Sequence, residues 1–81
     1  MWFIYILLCK DGSLYTGSSN NIEKRLLAHQ NGTGAKYTRS HKPLQIIHSE
    51  RFETKSAALK RELEIKGWSR QKKIAELKLV M

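Results

Sequence analysis

An uninterrupted apolar run, WFIYILLC, covers residues 2–9 near the start of the chain. It is rich in aromatic and β-branched side chains, and it is followed by Asp11-Gly12, a pair that favours a tight turn. This pattern predicts a strand that enters a β-hairpin. We expect this strand to lie at the centre of the sheet.

The length of the hairpin loop decides which way the aromatic side chains of the next strand point. If residues 10–12 form a three-residue loop with its glycine in the left-handed conformation, Leu7 faces Tyr15 and Tyr5 faces Gly17. Both tyrosines then lie on one face of the sheet, and Gly17 leaves open space beside Tyr5 that a phosphate can approach. A two-residue turn would instead put the tyrosines on opposite faces, because side chains alternate along a strand.

A first helix is predicted immediately after this hairpin. An asparagine at position 20 or 21 can cap it, so that it begins near residue 21 or 22 and stops at Asn31-Gly32. Arg25 and His29 are four residues apart and therefore share one edge of the helix, where both side chains can act at one point. The apolar stripe is expected to consist of Ile22, Leu26 and Leu27.

The sequence pattern in the second half of the chain predicts one more strand and a second helix. Pro43 prevents a helix from continuing, and residues 44–52 mix alternation with β-branched residues, which indicates a third strand. Thr54 or Ser56 begins the helix, and Gly67 ends or kinks it. The side chains expected to face inward from this helix are Ala58, Leu59, Leu63 and Ile65.

A last helix is predicted over residues 70–78, with Ser69 as its cap. Its inward side chains are expected to be Ile74, Leu77 and Val80, and its outward ones Arg70, Lys72, Lys73 and Lys78. The patterns together predict an α/β (α+β) fold, a three-stranded antiparallel sheet flanked by helices in the order β-β-α-β-α-α. With 81 residues, we expect a single domain over residues 1–81.

The chain carries a large positive charge. Fifteen Lys and Arg against seven Asp and Glu give a formal net charge of +8. Such a charge favours nucleic acid as the partner, with a merely soluble basic surface as the alternative. The lone Cys9 can form neither an internal disulfide nor a zinc site, and residues 2–9 are too short to span a membrane. We therefore expect a cytoplasmic protein with no membrane partner.

The sequence lacks the residues that several classes of catalytic chemistry require. The histidines at positions 29, 41 and 48 are not at helical i, i+4 spacing, which disfavours a zinc enzyme. No GxxxxGK[ST], GxGxxG or GxSxG motif occurs, so we expect no small-molecule cofactor and no serine nucleophile. What remains is a set of residues suited to phosphates, whose cleavage needs a proton acceptor, cationic groups and commonly a divalent cation.

Residues 32–43, GTGAKYTRSHKP, form a basic stretch with two glycines and one isolated aromatic. Basic side chains contact phosphates and an aromatic ring stacks on an unpaired base, a combination that is usual in single-strand recognition. The alternative is a solvated connection with Tyr37 packed on the core. The candidate nucleic-acid contacts in this stretch are Lys36, Tyr37, Thr38 and Arg39.

Residues 3–29 resemble the start of the GIY-YIG nuclease superfamily, with FIY at 3–5 in place of GIY and YTG at 15–17 in place of YIG. The resemblance continues through Asn21, Arg25 and His29 on the first helix to Glu62 on a later helix. The stretches GSLYTG, GTGAKYTR and ALKRELEIK are similar to small stand-alone GIY-YIG proteins of bacteria.

The resemblance implies that Glu62 binds one Mg²⁺ or Mn²⁺ ion and that Arg25 steadies the scissile phosphate. Tyr15 would take or relay the proton of the attacking water, with Tyr5 and His29 assisting. On titration alone His29 is the better base, since its reference pKa is near 6.5 against about 10 for tyrosine, so the roles of Tyr15 and His29 remain exchangeable. The remaining nucleic-acid contacts are expected at Gly17 and Asn21.

The chain departs from the superfamily directly after the YIG glycine. Many members have a lysine at this position, whereas this chain has Ser18. The phosphate contact of that lysine is either missing here or supplied by Lys36 or Arg39.

These features together predict a metal-dependent endonuclease that hydrolyses phosphodiester bonds in DNA. Single-stranded or branched DNA is the expected substrate, in DNA repair or processing, because the short chain has no recognition helix or partner domain to read a duplex. RNA is a second candidate partner, and we expect a monomer or a weak dimer. The alternative function is a non-catalytic nucleic-acid-binding module.

Overall fold

The computed structural model describes residues 1–34 and 41–80. Among these residues the elements follow one another in the predicted order β-β-α-β-α-α. They are β1 (Trp2–Cys9), β2 (Leu14–Ser19), α1 (Ile22–Gln30), β3 (Pro43–Phe52), α2 (Lys55–Lys66) and α3 (Arg70–Glu76). A search of the described helices finds none that combines the length and apolarity required to cross a membrane.

The three strands form one antiparallel sheet with β1 in the centre, as predicted, in the order β2-β1-β3. The hairpin between β1 and β2 has the three-residue loop, and Gly12 within it adopts the left-handed conformation with a φ of 85°. Tyr5 therefore pairs with Gly17 and Leu7 with Tyr15. The prediction that both tyrosines share one face is confirmed.

Alternation along β1 divides the molecule into two layers on either side of the sheet. Ile4 and Ile6 point to the layer of α2, where they pack with Ala58 and Ile65 in the hydrophobic core. Tyr5 points to the opposite layer, where it contacts α1. The strand β2 borders the sheet, so side chains from both layers can meet around its outer edge.

The residue before each helix caps it with its side chain. Asn21 accepts a hydrogen bond from the Lys24 amide at the start of α1, which settles the choice between the two asparagines. Thr54 caps α2 and Ser69 caps α3 in the same way. Gly67 ends α2, so the alternative of a kinked helix that continues is excluded.

The inward face of α2 differs from the prediction. Ala58 and Ile65 are buried as expected, but Leu59 and Leu63 are exposed by 39% and 72%. Glu62 is buried in their place, because positions 58, 62 and 65 follow the spacing of four and three residues that keeps side chains on one helix face. The prediction was wrong because it chose the inward face by apolarity alone.

Three further orientations, those of Leu27, Lys73 and Val80, were wrong for the same reason. On α1, Leu27 is exposed by 58%, and the fully buried side chain is that of His29. On α3, Lys73 is buried rather than outward. After this helix Lys78 adopts a left-handed φ of 51°, and Leu79 is buried while Val80 is exposed by 90%.

Candidate active site

Three aromatic rings form the centre of the site. Tyr5 Oη lies 2.7 Å from His29 Nε2, and this hydrogen bond joins β1 to α1 inside the protein. The ring of Tyr15 meets the same imidazole edge-on, with 5.1 Å between the ring centroids. Tyr5 and His29 are both fully buried, whereas Tyr15 is half-buried. The two tyrosines of the motif are therefore held together by His29, which contacts both rings.

Gly17 allows this packing because it has no side chain. A Cβ atom there would lie 2.5 Å from Tyr5 Oη and 3.1 Å from Tyr15 Cε2. The space beside Gly17 is thus filled by the tyrosines, and the expectation of open space for a phosphate at this position was wrong. The physical reason is that the Tyr5 ring lies over its cross-strand partner instead of pointing away from it.

A second glycine closes the other side of the imidazole. A Cβ atom on Gly34 would lie 2.5 Å from His29 Nδ1, so the chain after α1 passes directly against the ring. Arg25 holds this segment of the chain in place, because its Nη2 donates a 2.8 Å hydrogen bond to the Gly34 carbonyl. Gly34 therefore encloses His29, a role that the sequence analysis did not assign to it.

Burial shifts the titration of this cluster in a definite direction. Burial raises the pKa of Tyr5 to about 12, although a hydrogen bond from Arg25 opposes the rise. Burial, followed by the positive charge of Arg25, lowers the pKa of His29 below its usual value near 6.5. At neutral pH Tyr5 is a protonated phenol and His29 a neutral imidazole. The hydrogen bond between them therefore joins two uncharged groups.

Lowering the pH from 7 to 5 should destabilise the protein through His29. Because its pKa is lower in the folded than in the unfolded chain, the unfolded chain binds more protons below about pH 6.5. The free energy of unfolding then falls with a slope of at most roughly 1.4 kcal/mol per pH unit for this one group. Urea unfolding of wild type and His29→Gln at several pH values measures the difference. Parallel pH profiles would contradict this prediction.

Arg25 also borders a cleft beside the aromatic cluster. The cleft has a volume of about 230 Å³ and lies between the end of β2 and the first half of α1. None of its lining residues is acidic, and two are cations: the lining consists of Ser19, Asn20, Asn21, Lys24, Arg25 and Ala28. Such a lining favours an anion. Asn21, predicted as a nucleic-acid contact, lies in this wall, although its side chain also caps α1.

Glu62 reaches the site from the other layer of the molecule. Its Oε1 accepts a 2.6 Å hydrogen bond from the Ser18 hydroxyl on β2. Its Oε2 forms a 2.8 Å ion pair with Lys66, one turn further along α2. The Lys66 ammonium also lies 5.9 Å from the centroid of the Tyr15 ring. Glu62 and Tyr15 are thus brought to the same edge of the sheet, with Lys66 between them.

These contacts permit a divalent cation at Glu62. A carboxylate and a neighbouring hydroxyl are oxygen ligands, the kind that Mg²⁺ and Mn²⁺ prefer. The Lys66 ammonium on Oε2 shows that this position already accommodates positive charge. Within residues 1–34 and 41–80 no group of three or more His, Cys, Asp or Glu side chains converges, so the protein would supply one carboxylate and leave other positions to water and phosphate.

The structure describes some of the predicted site residues and not others. Tyr5, Tyr15 and His29 form one cluster, Arg25 lies beside it through Gly34, and Glu62 is linked to Tyr15 through Lys66. The predicted contacts Lys36, Tyr37, Thr38 and Arg39 fall outside the described residues. Ser18 and Lys66 were not predicted as site residues, and both hold the Glu62 carboxylate. The i, i+4 spacing of Glu62 and Lys66 was a signal for the ion pair, and the place of Ser18 directly after the YIG glycine was a signal for the hydrogen bond.

Comparisons with known proteins show which family the chain belongs to. The family model of the GIY-YIG catalytic domain matches residues 1–75. A UPF0213 protein of Staphylococcus saprophyticus is 61% identical over 72 residues, which cover 89% of this chain and 88% of that protein. A UPF0213 protein of Natronomonas pharaonis is 52% identical over 71 residues, which cover 88% of this chain and 84% of that protein.

Solved structures show the same relationship. The solution NMR structure of a UPF0213 protein from Bacillus halodurans superimposes with a TM-score of 0.61 at 40% identity, covering 96% of this chain and 84% of that one. The solution NMR structure of a protein from E. faecalis gives a TM-score of 0.64 at 46% identity, covering 94% and 81%. The chain therefore belongs to the GIY-YIG catalytic domain family, and its similarity to the UPF0213 proteins extends over most of its length.

Proposed function

We propose that this protein is a divalent-metal-dependent endonuclease that hydrolyses phosphodiester bonds in DNA. The observation that carries the proposal is that Lys66 lies against both Glu62 of one layer and the Tyr15 ring of the other, around the edge of β2. A carboxylate, a phenol and the nearby Arg25 are the groups that phosphodiester cleavage needs: a metal ligand, a partner for water and a fixed cation.

Each residue has a separate task in this reaction. Arg25 faces the anion-favouring cleft and steadies the scissile phosphate. Tyr15 is the half-buried phenol of the pair, so it orients the attacking water and relays its proton. His29 is out of solvent reach and acts through Tyr5, whose hydroxyl it holds. Glu62 would hold one Mg²⁺ or Mn²⁺ ion, which supplies positive charge to the phosphate when bound.

Single-stranded or branched DNA is the substrate class that we propose, in DNA repair or processing. The net charge of +8 favours a polyanion, and the cleft beside Arg25 is small and open rather than shaped for a duplex groove. We further propose that the protein acts in the cytoplasm as a monomer or weak dimer, and that RNA competes with DNA for the same surface.

One observation favours a second candidate, a nucleic-acid-binding module without turnover. Both carboxylate oxygens of Glu62 already have partners, Ser18 on one and Lys66 on the other. If Lys66 never leaves, the basic surface remains but the metal ligand does not act. Binding without cleavage is the property that distinguishes this candidate.

A cleavage assay tests the two candidates against each other. Wild type is incubated with end-labelled single-stranded, duplex and branched DNA and with RNA, in Mg²⁺, in Mn²⁺ or in a chelator. We expect cleavage of single-stranded or branched DNA that requires the ion, and at least a hundredfold slower cleavage by Tyr15→Phe, which keeps the ring but loses the hydroxyl. Wild type that binds these nucleic acids but never cuts them would refute the nuclease.

A further inference from the structure

We propose that Lys66 is a built-in counter-ion of Glu62, and that a divalent cation binds Glu62 only by displacing it. The inference rests on the proposed function for the presence of the metal site. It adds a specific residue that sets how tightly the ion is held.

The geometry places the Lys66 ammonium where an ion would have to bind. Lys66 Nζ lies 2.8 Å from Glu62 Oε2, while Ser18 already donates to the other oxygen. The Glu62 side chain is only 12% exposed, so it offers little further surface to an ion from solvent. An ammonium and a dication on one carboxylate oxygen repel each other, and this repulsion is stronger in a partly buried place than in water, so binding of the ion favours departure of the ammonium.

Lys66 is nevertheless free to leave. Its side chain is 46% exposed at the last turn of α2, and its long flexible stem can carry the ammonium into solvent.

Displacement also has a consequence for substrate. The Lys66 ammonium lies 5.9 Å from the centroid of the Tyr15 ring while it is paired with Glu62, so once displaced it is within reach of a phosphate bound beside Tyr15 and can pair with a phosphate oxygen. Two new contacts then replace the ion pair: the dication binds the Glu62 carboxylate, and the phosphate binds the Lys66 ammonium. Lys66 in this way fills the role that the absent lysine at position 18 has elsewhere in the superfamily.

Mn²⁺ binding to the protein without nucleic acid tests the displacement directly. Free Mn²⁺ is followed by electron paramagnetic resonance in titrations of wild type, Lys66→Met, Lys60→Met and Glu62→Gln. Lys60→Met is the matched control, because it removes the same charge from an exposed position of the same helix. We expect Lys66→Met to bind Mn²⁺ at least tenfold more tightly than wild type, and Lys60→Met to stay within about twofold of it.

Equal affinities of Lys66→Met and Lys60→Met would overturn the inference, as would Lys66→Met that binds no Mn²⁺ at millimolar concentration. Glu62→Gln should lose the ion, and retained binding in that variant would place the ion elsewhere and also overturn it. Thermal unfolding confirms that each variant is folded. The cleavage assay separates this inference from the proposed function: a wild type that cuts DNA while Lys66→Met gains no affinity refutes only the displacement.

Discussion

Glu62→Gln should lower the rate of DNA cleavage on the order of a thousandfold while leaving the fold intact. The amide has the same shape as the carboxylate, and its oxygen can still accept the Ser18 hydrogen bond. What it loses is the negative charge that would hold a divalent ion and that now pairs with Lys66. The effect is therefore expected in the chemical step, measured as single-turnover cleavage at saturating protein.

Glu64→Gln provides the matched control for this prediction. Glu64 lies on the same helix with its side chain 55% exposed, and it pairs with Arg61. Both substitutions raise the net charge by one, so both should bind DNA as well as wild type or slightly better. Equal losses of cleavage in the two variants would show that Glu62 has no special role.

Gly17→Ala should lower the free energy of unfolding by about 2 kcal/mol, which for a domain of this size lowers the melting temperature by roughly 8 to 16 °C. The new methyl group would lie 2.5 Å from Tyr5 Oη and 2.6 Å from Tyr5 Cζ. Tyr5 is fully buried and hydrogen-bonded to His29, so the Tyr5 ring cannot move aside without breaking that hydrogen bond. Replacing glycine also stiffens the unfolded chain, but that gain is below about 1 kcal/mol and does not compensate.

Gly67→Ala separates the effect of crowding from the effect of losing any glycine. A Cβ atom there would meet the Glu64 carbonyl oxygen at 3.4 Å, which is ordinary contact. This variant should melt within a few degrees of wild type, as measured by circular dichroism. A Gly17→Ala protein that melts at the wild-type temperature would contradict the packing described for the two tyrosines. Its cleavage rate should fall as well, since Tyr15 also borders the methyl group.

Local signals in the sequence were sufficient for the order of the elements and for the register of the first hairpin. The three-residue loop with its left-handed Gly12 determined the register, and the register determined that Tyr5 and Tyr15 share a face. These features depend on neighbours in the chain, where turn chemistry and the two-residue period of a strand act strongly.

The inward faces of the helices could not be predicted in the same way. Apolarity favoured Leu63 and Leu27, whereas the folded chain buries Glu62 and His29. Both buried groups are polar, and each is compensated by a partner from a distant part of the chain, Ser18 for Glu62 and Tyr5 for His29. Such partners lie 44 and 24 residues away, so no short stretch of sequence reveals them.

The bordering strand β2 makes the site unusually sensitive to insertions and deletions. Its odd-numbered residues, including Tyr15, point to α1, and its even-numbered residues, including Ser18, point to α2. Adding or removing one codon within residues 10–12 would shift β2 by one position against β1 and exchange the two sets of side chains. A single frame-preserving change in a surface loop would thus separate the tyrosines and release Glu62 at once, although loops ordinarily tolerate changes in length.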